Sequence, residues 1–218
     1  LEDTTIEDTL KTVEALYVQK DYANALKTLE ANKSKISSGL WHYNMGTVYA
    51  GMREFGKARF HLLQAEREGF ISKESEQNLE LVEKELETTR LEKPLAWSDY
   101  AVRGAMIASE GILSTLALFV LIAGMVGVLK KKSLSAFAAL TVFVLLIVGL
   151  DFWINSWPLA VVSAPQGIQD GPSAIFPTRE ELPAGVLVLA THQGEWRKIL
   201  YPSRYQGWIK NTGLEELK

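Results

Sequence analysis

Two long runs almost free of charge, parted by three consecutive lysines, constrain this chain more than any other feature. Between Ala105 and Ala164 the only charged residues are Glu110, the triplet Lys130, Lys131 and Lys132, and Asp151. Ile112 to Leu129 is uncharged and rich in Leu, Val and Ala, and Leu134 to Leu150 repeats the pattern. Each run approaches the roughly 20 apolar residues that cross a bilayer core. Neither alternates apolar with polar residues, so both read as apolar all round. The reading is an antiparallel transmembrane hairpin, with 105–129 as the first helix, 130–133 as the turn and 134–154 as the second helix.

Lysines near membrane ends favour the cytoplasmic side. The triplet therefore places the turn inside and both ends of the chain outside. That implies a multi-pass protein of the bacterial inner (cytoplasmic) membrane with N- and C-terminal domains in the periplasm. Trp153 and Trp157 fit the headgroup level beyond the second helix. Glu110 and Asp151 stand about equally far from the turn, roughly 28–30 Å at the helical rise. They read either as acids touching headgroup water or as a paired acidic site for a partner's arginine.

The flanking regions have a different texture. Residues 1–93 are densely charged and helical. "KDYANALKTL" and "REFGKARFHL" align, with Tyr22 on Phe55, Ala25 on Ala58 and Leu29 on Leu62. A spacing near 34 residues marks helix-turn-helix repeats. The second copy, with Met45-Gly46-x-x-Tyr49 and Ala58-x-x-x-Leu62, resembles the tetratricopeptide repeat. Gly46 and Ala58 are small where paired helices approach. The resemblance has departures: Trp41 stands one place early, Val13 occupies the first copy's glycine position, and no terminal proline follows either copy. Residues 72–93 then read as a capping helix with Ser72 at its N-cap. A short array of this kind implies a binding face made by the first helix of each pair, which assigns Glu14, Tyr17, Tyr43, Asn44 and Thr47 to protein binding.

Beyond linkers at 94–104 and 155–162, residues 163–218 read as short strands with turns between them. Val186 to Thr191, Trp196 to Leu200 and Gly207 to Lys210 are strands, with one more upstream. Gly171-Pro172-Ser173, Leu182-Pro183-Ala184-Gly185, Gly194-x-Trp196-x-Lys198-Ile199 and Gly207-Trp208-Ile209 resemble the bacterial SH3 domain, which implies a small all-β barrel. Its aromatic residues Trp196, Tyr205 and Trp208 are either core or ligand-stacking. The expected architecture is thus a multidomain membrane protein: an all-α repeat domain, a two-helix transmembrane hairpin and a small SH3-like barrel.

The order of parts resembles the BatE type of Bat (Bacteroides aerotolerance) operon membrane proteins. That resemblance implies a non-enzymatic membrane scaffold whose partners are membrane proteins with von Willebrand A domains, linked indirectly to a MoxR-type cytoplasmic ATPase. The alternative is a sensor or anchor that binds peptidoglycan through the SH3-like domain. The chain has no cysteine, and its three histidines, His42, His61 and His192, show no metal-ligand spacing. A net charge of -3 offers no basic face for nucleic acid. No catalytic constellation, metal or cofactor is expected. A removed signal peptide or a trimmed boundary would explain the start at Leu1.

Overall fold

The computed structural model describes residues 5–107, 115, 118–122, 124–125, 134–191 and 194–218. The chain divides into two compact units, one made of Leu1–Lys93 with Leu159–Lys218 and the other of Pro94–Pro158. The first unit therefore joins the repeat helices and the β-rich segment, which the sequence separates by more than sixty positions.

Its helical part is built from hairpins. α1 (Ile6–Val18) pairs with α2 (Tyr22–Ala31), and α3 (Ser38–Gly51) with α4 (Phe55–Arg67). The turns repeat as closely as the sequence does. Lys20 and Arg53 both take the left-handed conformation, at φ 60° and 61°, and Asp21 and Glu54 follow as N-caps with ψ of 65° and 64°. A third left-handed residue, Glu87, follows α5 (Lys73–Glu85) and precedes the four-residue α6 (Thr88–Leu91). The capping helix is thus the first half of a third hairpin whose second half stops after one turn. Ser72 caps α5 by accepting a hydrogen bond from the Ser75 N–H at 3.1 Å.

Apolar spacing fixes how these helices pack. Val13, Ala25, Leu29, Trp41, Met45 and Val48 form one core, and Ala58, Leu62 and Val82 form the next. Trp41 is buried, and its indole N–H donates to the Leu29 carbonyl at 3.0 Å. α3 and α4 approach closely at Gly46, where a methyl group would stand 2.8 Å from Leu62 Cγ.

The β segment forms a seven-stranded antiparallel sheet from β1 (Leu159–Val162), β2 (Gln166–Gln169), β3 (Thr178–Leu182), β4 (Leu187–Ala190), β5 (Trp196–Tyr201), β6 (Gly207–Lys210) and β7 (Leu214–Glu216), in the order β3-β2-β6-β5-β4-β1-β7. The expectation of a closed barrel is corrected here: the sheet is open, and among the described residues nothing pairs β3 with β7. The reason lies at the β7 edge. Beyond β7, Leu217 still donates to the Leu159 carbonyl, but Lys218 exchanges two hydrogen bonds with the Gln64 side chain of α4. A helix, not a strand, meets the chain there. Val162, Ile168, Leu182, Val188, Ile199 and Ile209 form the core of the sheet, and Leu91 of α6 packs against them.

The second unit contains α7 (Trp97–Ile107) and α8 (Leu134–Asn155), which touch each other. Asp99 caps the start of α7, accepting from the Leu95 and Ala96 N–H groups at 3.0 and 3.2 Å. The expected transmembrane hairpin is also corrected. Among the described residues no helix is long and apolar enough to cross a membrane. Most of the first expected span and the whole turn 130–133 lie outside the described residues, as do Glu110 and the Asp151 side chain. The classification as a membrane protein, and its placement as a multi-pass inner-membrane protein with periplasmic domains, rested on that hairpin and are withdrawn with it.

Candidate functional site

The residues assigned to protein binding come from two helices, and the fold places them along one surface. α1 supplies Glu14 and Tyr17; α3 supplies Tyr43, Asn44 and Thr47. All five line a groove of about 380 Å³, together with Glu7, Leu10, Lys11, Val13, Leu40 and Val48. The helical period puts them there. Residues 7, 10, 14 and 17 of α1, and 40, 43, 44 and 47 of α3, recur at three- and four-residue steps along a single face.

The groove has an apolar floor and a polar rim. Leu10, Val13, Leu40 and Val48 provide aliphatic surface. Lys11 pairs with Glu7 at 2.7 Å on the exposed edge, while Glu14 is exposed. Tyr17 is half-buried and meets Tyr22 edge-to-face, with ring centroids 5.5 Å apart. Burial, together with the neighbouring phenols of Tyr22 and Tyr43, raises the Tyr17 pKa above its ordinary value. Its hydroxyl therefore remains a neutral donor at physiological pH. The Asn44 amide donates to the Leu40 carbonyl at 2.8 Å. The Thr47 hydroxyl donates to the Tyr43 carbonyl at 2.9 Å and accepts from the Asn78 amide of α5 at 3.1 Å. These bonds hold the rim side chains in place before any ligand arrives, which lowers the ordering cost of binding.

The remaining assigned residues are dispersed. Tyr205 is buried in the core of the sheet. Trp196 and Trp208 are part-exposed and belong to neither the core nor the groove. Trp196 stands opposite Lys210, and Lys198 opposite Trp208, in the β5–β6 register. This face alternates indoles with ammonium groups, and Lys210 Nζ lies 5.6 Å from the Trp196 ring. Trp153 is exposed and meets Trp157 edge-to-face at 5.9 Å in the second unit. Lys130, Lys131, Lys132 and Glu110 lie outside the described residues.

Two clusters have no counterpart in the sequence reading. His42 of α3 and His61 of α4 lie about equally far from the turn between their helices, and their Nδ1 atoms meet at 2.9 Å. One ring must donate and the other accept, so at least one of the two is neutral. Burial, with His42, Lys33 and Lys57 adding to it, pushes the His61 pKa down to about 3. Burial also lowers that of His42, against the opposing pull of Glu68. The second cluster centres on Arg59, buried between α4, α5 and the sheet. Burial works against its charge, but hydrogen bonds and ion pairs to Glu92 and Glu83 outweigh it and hold the guanidinium above its ordinary pKa. A signal for Arg59 was present in the sequence: it interrupts the apolar stripe Phe55, Ala58, Leu62, Ala65 of α4 with a charge.

Comparison with protein-family models, curated proteins and solved structures finds no match to this chain.

Proposed function

We propose that this protein is a non-enzymatic scaffold whose α1–α3 groove holds a peptide segment of a partner protein. The observation that supports this reading is the convergence of Glu14, Tyr17, Tyr43, Asn44 and Thr47 on one groove with an aliphatic floor and a pre-set polar rim. An extended or helical segment with apolar side chains on one side and backbone polar groups on the other matches that surface. Proteins carrying von Willebrand A domains, working with a MoxR-type ATPase, are the first candidates through the family resemblance.

The second reading is a peptidoglycan-binding role for the sheet, which draws on the part-exposed Trp196 and Trp208 between Lys198 and Lys210. One experiment separates the two. A photo-crosslinking residue is placed at Tyr43 or at Trp208 of the full chain in the producing cell. The groove reading expects a discrete protein adduct from position 43 that weakens when Thr47→Arg narrows the groove. Adducts to cell wall from position 208, with none from position 43, would overturn the groove in favour of the sheet.

A further inference from the structure

The repeat helices and the sheet share one compact unit, and the contacts that join them concentrate on a single carboxylate. Glu92 follows α6 directly. Its Oε1 accepts from Arg59 Nη1 and also from the Leu187 N–H of β4, the latter at 2.8 Å. Arg59 Nη1 donates to the Gly185 carbonyl at 2.6 Å, its Nη2 to Glu92 Oε2 at 3.3 Å, and its Nη2 and Nε to Glu83 at 2.8 and 3.2 Å. All five guanidinium N–H groups are thereby used, on α5, on the end of α6 and on the loop before β4. Arg197, buried inside the sheet, makes a contrast: among the described residues its Nη2 has no partner.

The surfaces around this cluster fit closely. A methyl group on Gly56 of α4 would stand 2.7 Å from the Ser163 carbonyl oxygen and 2.9 Å from that of Val162. Gly185 sits against Leu86 at the C-cap of α5, Leu91 packs against the core of the sheet, and Gln64 holds Lys218. A flexibly tethered pair of modules would instead face each other through hydrated, exchangeable side chains. Buried ionic clusters add little net stability, but they penalise every arrangement that leaves one member unpaired. This one therefore sets how the helices and the sheet dock.

We propose that Glu92 and Arg59 form a latch that makes the repeat helices and the sheet one cooperative body, closed at the point where the chain leaves for residues 94–158. Glu92 lies two positions before Pro94, and β1 begins at Leu159, so that segment leaves and re-enters the same body. Releasing Glu92 removes its bonds to α4 and to β4 at once, because one carboxylate serves both. The inference is independent of what the groove binds.

Hydrogen exchange of the full chain along a denaturant series tests it. In the unaltered protein, amides of α4 such as Leu62 and of the sheet such as Ile199 should merge onto a single opening curve. Glu92→Ala should speed exchange of the Val188 and Leu189 amides by about tenfold or more, since a charge-assisted hydrogen bond and its partner's pairing are lost together. Glu92→Gln keeps an acceptor for Leu187 and should give a smaller increase. Separate opening curves for α4 and β5 in the unaltered protein overturn the proposal whether or not any variant folds. So does unchanged β4 exchange in both variants.

Discussion

The repeat helices present two faces built on the same framework and finished in opposite ways. Toward the groove, α1 and α3 offer aliphatic surface with a rim of Glu, Tyr, Asn and Thr, and hydrogen bonds there run between neighbouring turns or helices. Toward the sheet, α4 offers a buried guanidinium, a glycine and an amide, each matched by a group from residues more than a hundred positions away. The first face is ordered, and no described residue fills it. The second is filled to contact. Substitutions should therefore separate them: the sheet-facing side carries stability, and the groove side carries recognition.

The largest effect is expected at Arg59. Arg59→Ala leaves Glu83, Glu92 and the Gly185 carbonyl without their common donor. Removing one partner from such a cluster costs about 3–5 kcal/mol. Chemical denaturation followed by tryptophan fluorescence should show that loss as a lower midpoint. A variant within about 0.5 kcal/mol of the parent would mean that the cluster is as dispensable as a surface pair.

Gly56→Ala comes next. The added methyl would meet two backbone oxygens of the β1 region, which cannot swing aside as a side chain can. Overpacking of this kind costs about 1–3 kcal/mol. Gly104→Ala provides the control, since no described residue lies within 4 Å of an added methyl there. Equal behaviour of the two variants in thermal unfolding would remove the close approach of α4 to β1 as a constraint.

How much of this was legible in the sequence differs sharply between the two faces. The groove residues follow helical spacing, and spacing is local information. Tyr22 on Phe55 and Leu29 on Leu62 were enough to set two hairpins in register. The third hairpin was hidden because α6 lasts only four residues, too few to show a period. The docking of helices on sheet joins Arg59 to Gly185 and Gln64 to Lys218, and no local pattern encodes such pairs. β1 was read as linker because Leu159–Val162 follows an apolar run without a break in texture, and β7 carries a single apolar residue at its start. The apolar texture of 105–154 was plain, but the hairpin inferred from it does not survive, since no described helix is long and apolar enough to cross a membrane.

The histidine pair gives a pH handle on the helical framework. His61 titrates near 3 in the folded chain against an ordinary 6.5. Its contribution is fully present above pH 6.5, where folded and unfolded chains are both neutral. It is lost progressively as pH falls from 6.5 toward 3, because only the unfolded chain takes up the proton. Between pH 6.5 and 5 the loss should be about 1.6 kcal/mol, the slope building toward 1.36 kcal/mol per pH unit as the unfolded imidazole fills with protons. The Glu68 carboxyl is shifted too: burial raises its pKa, but hydrogen bonds from Ser38 and Gln64 and the charges nearby outweigh that and lower it. Its contribution is therefore lost only at more acidic pH. A stability profile just as steep in His61→Asn between pH 6.5 and 5 would assign the slope to other groups.

The smallest effect on stability should accompany the largest on recognition. The Asn44 amide makes a hydrogen bond to its own helix, at the Leu40 carbonyl. Replacing it with Ala removes a local bond on a half-exposed face and substitutes a better helix former. Stability should change by no more than about 0.5 kcal/mol. The same substitution strips a polar group from the groove rim, so crosslinking from position 43 to a partner should fall while the unfolding midpoint holds. Arg59→Lys should do the reverse, weakening the body because an ammonium lacks the five-donor fork, while leaving the groove side chains untouched. If Asn44→Ala and Arg59→Lys instead lowered stability and crosslinking in the same proportion, the two faces would not be separable. The groove would then be one more part of a single packed body, and its polar rim would need no partner to explain it.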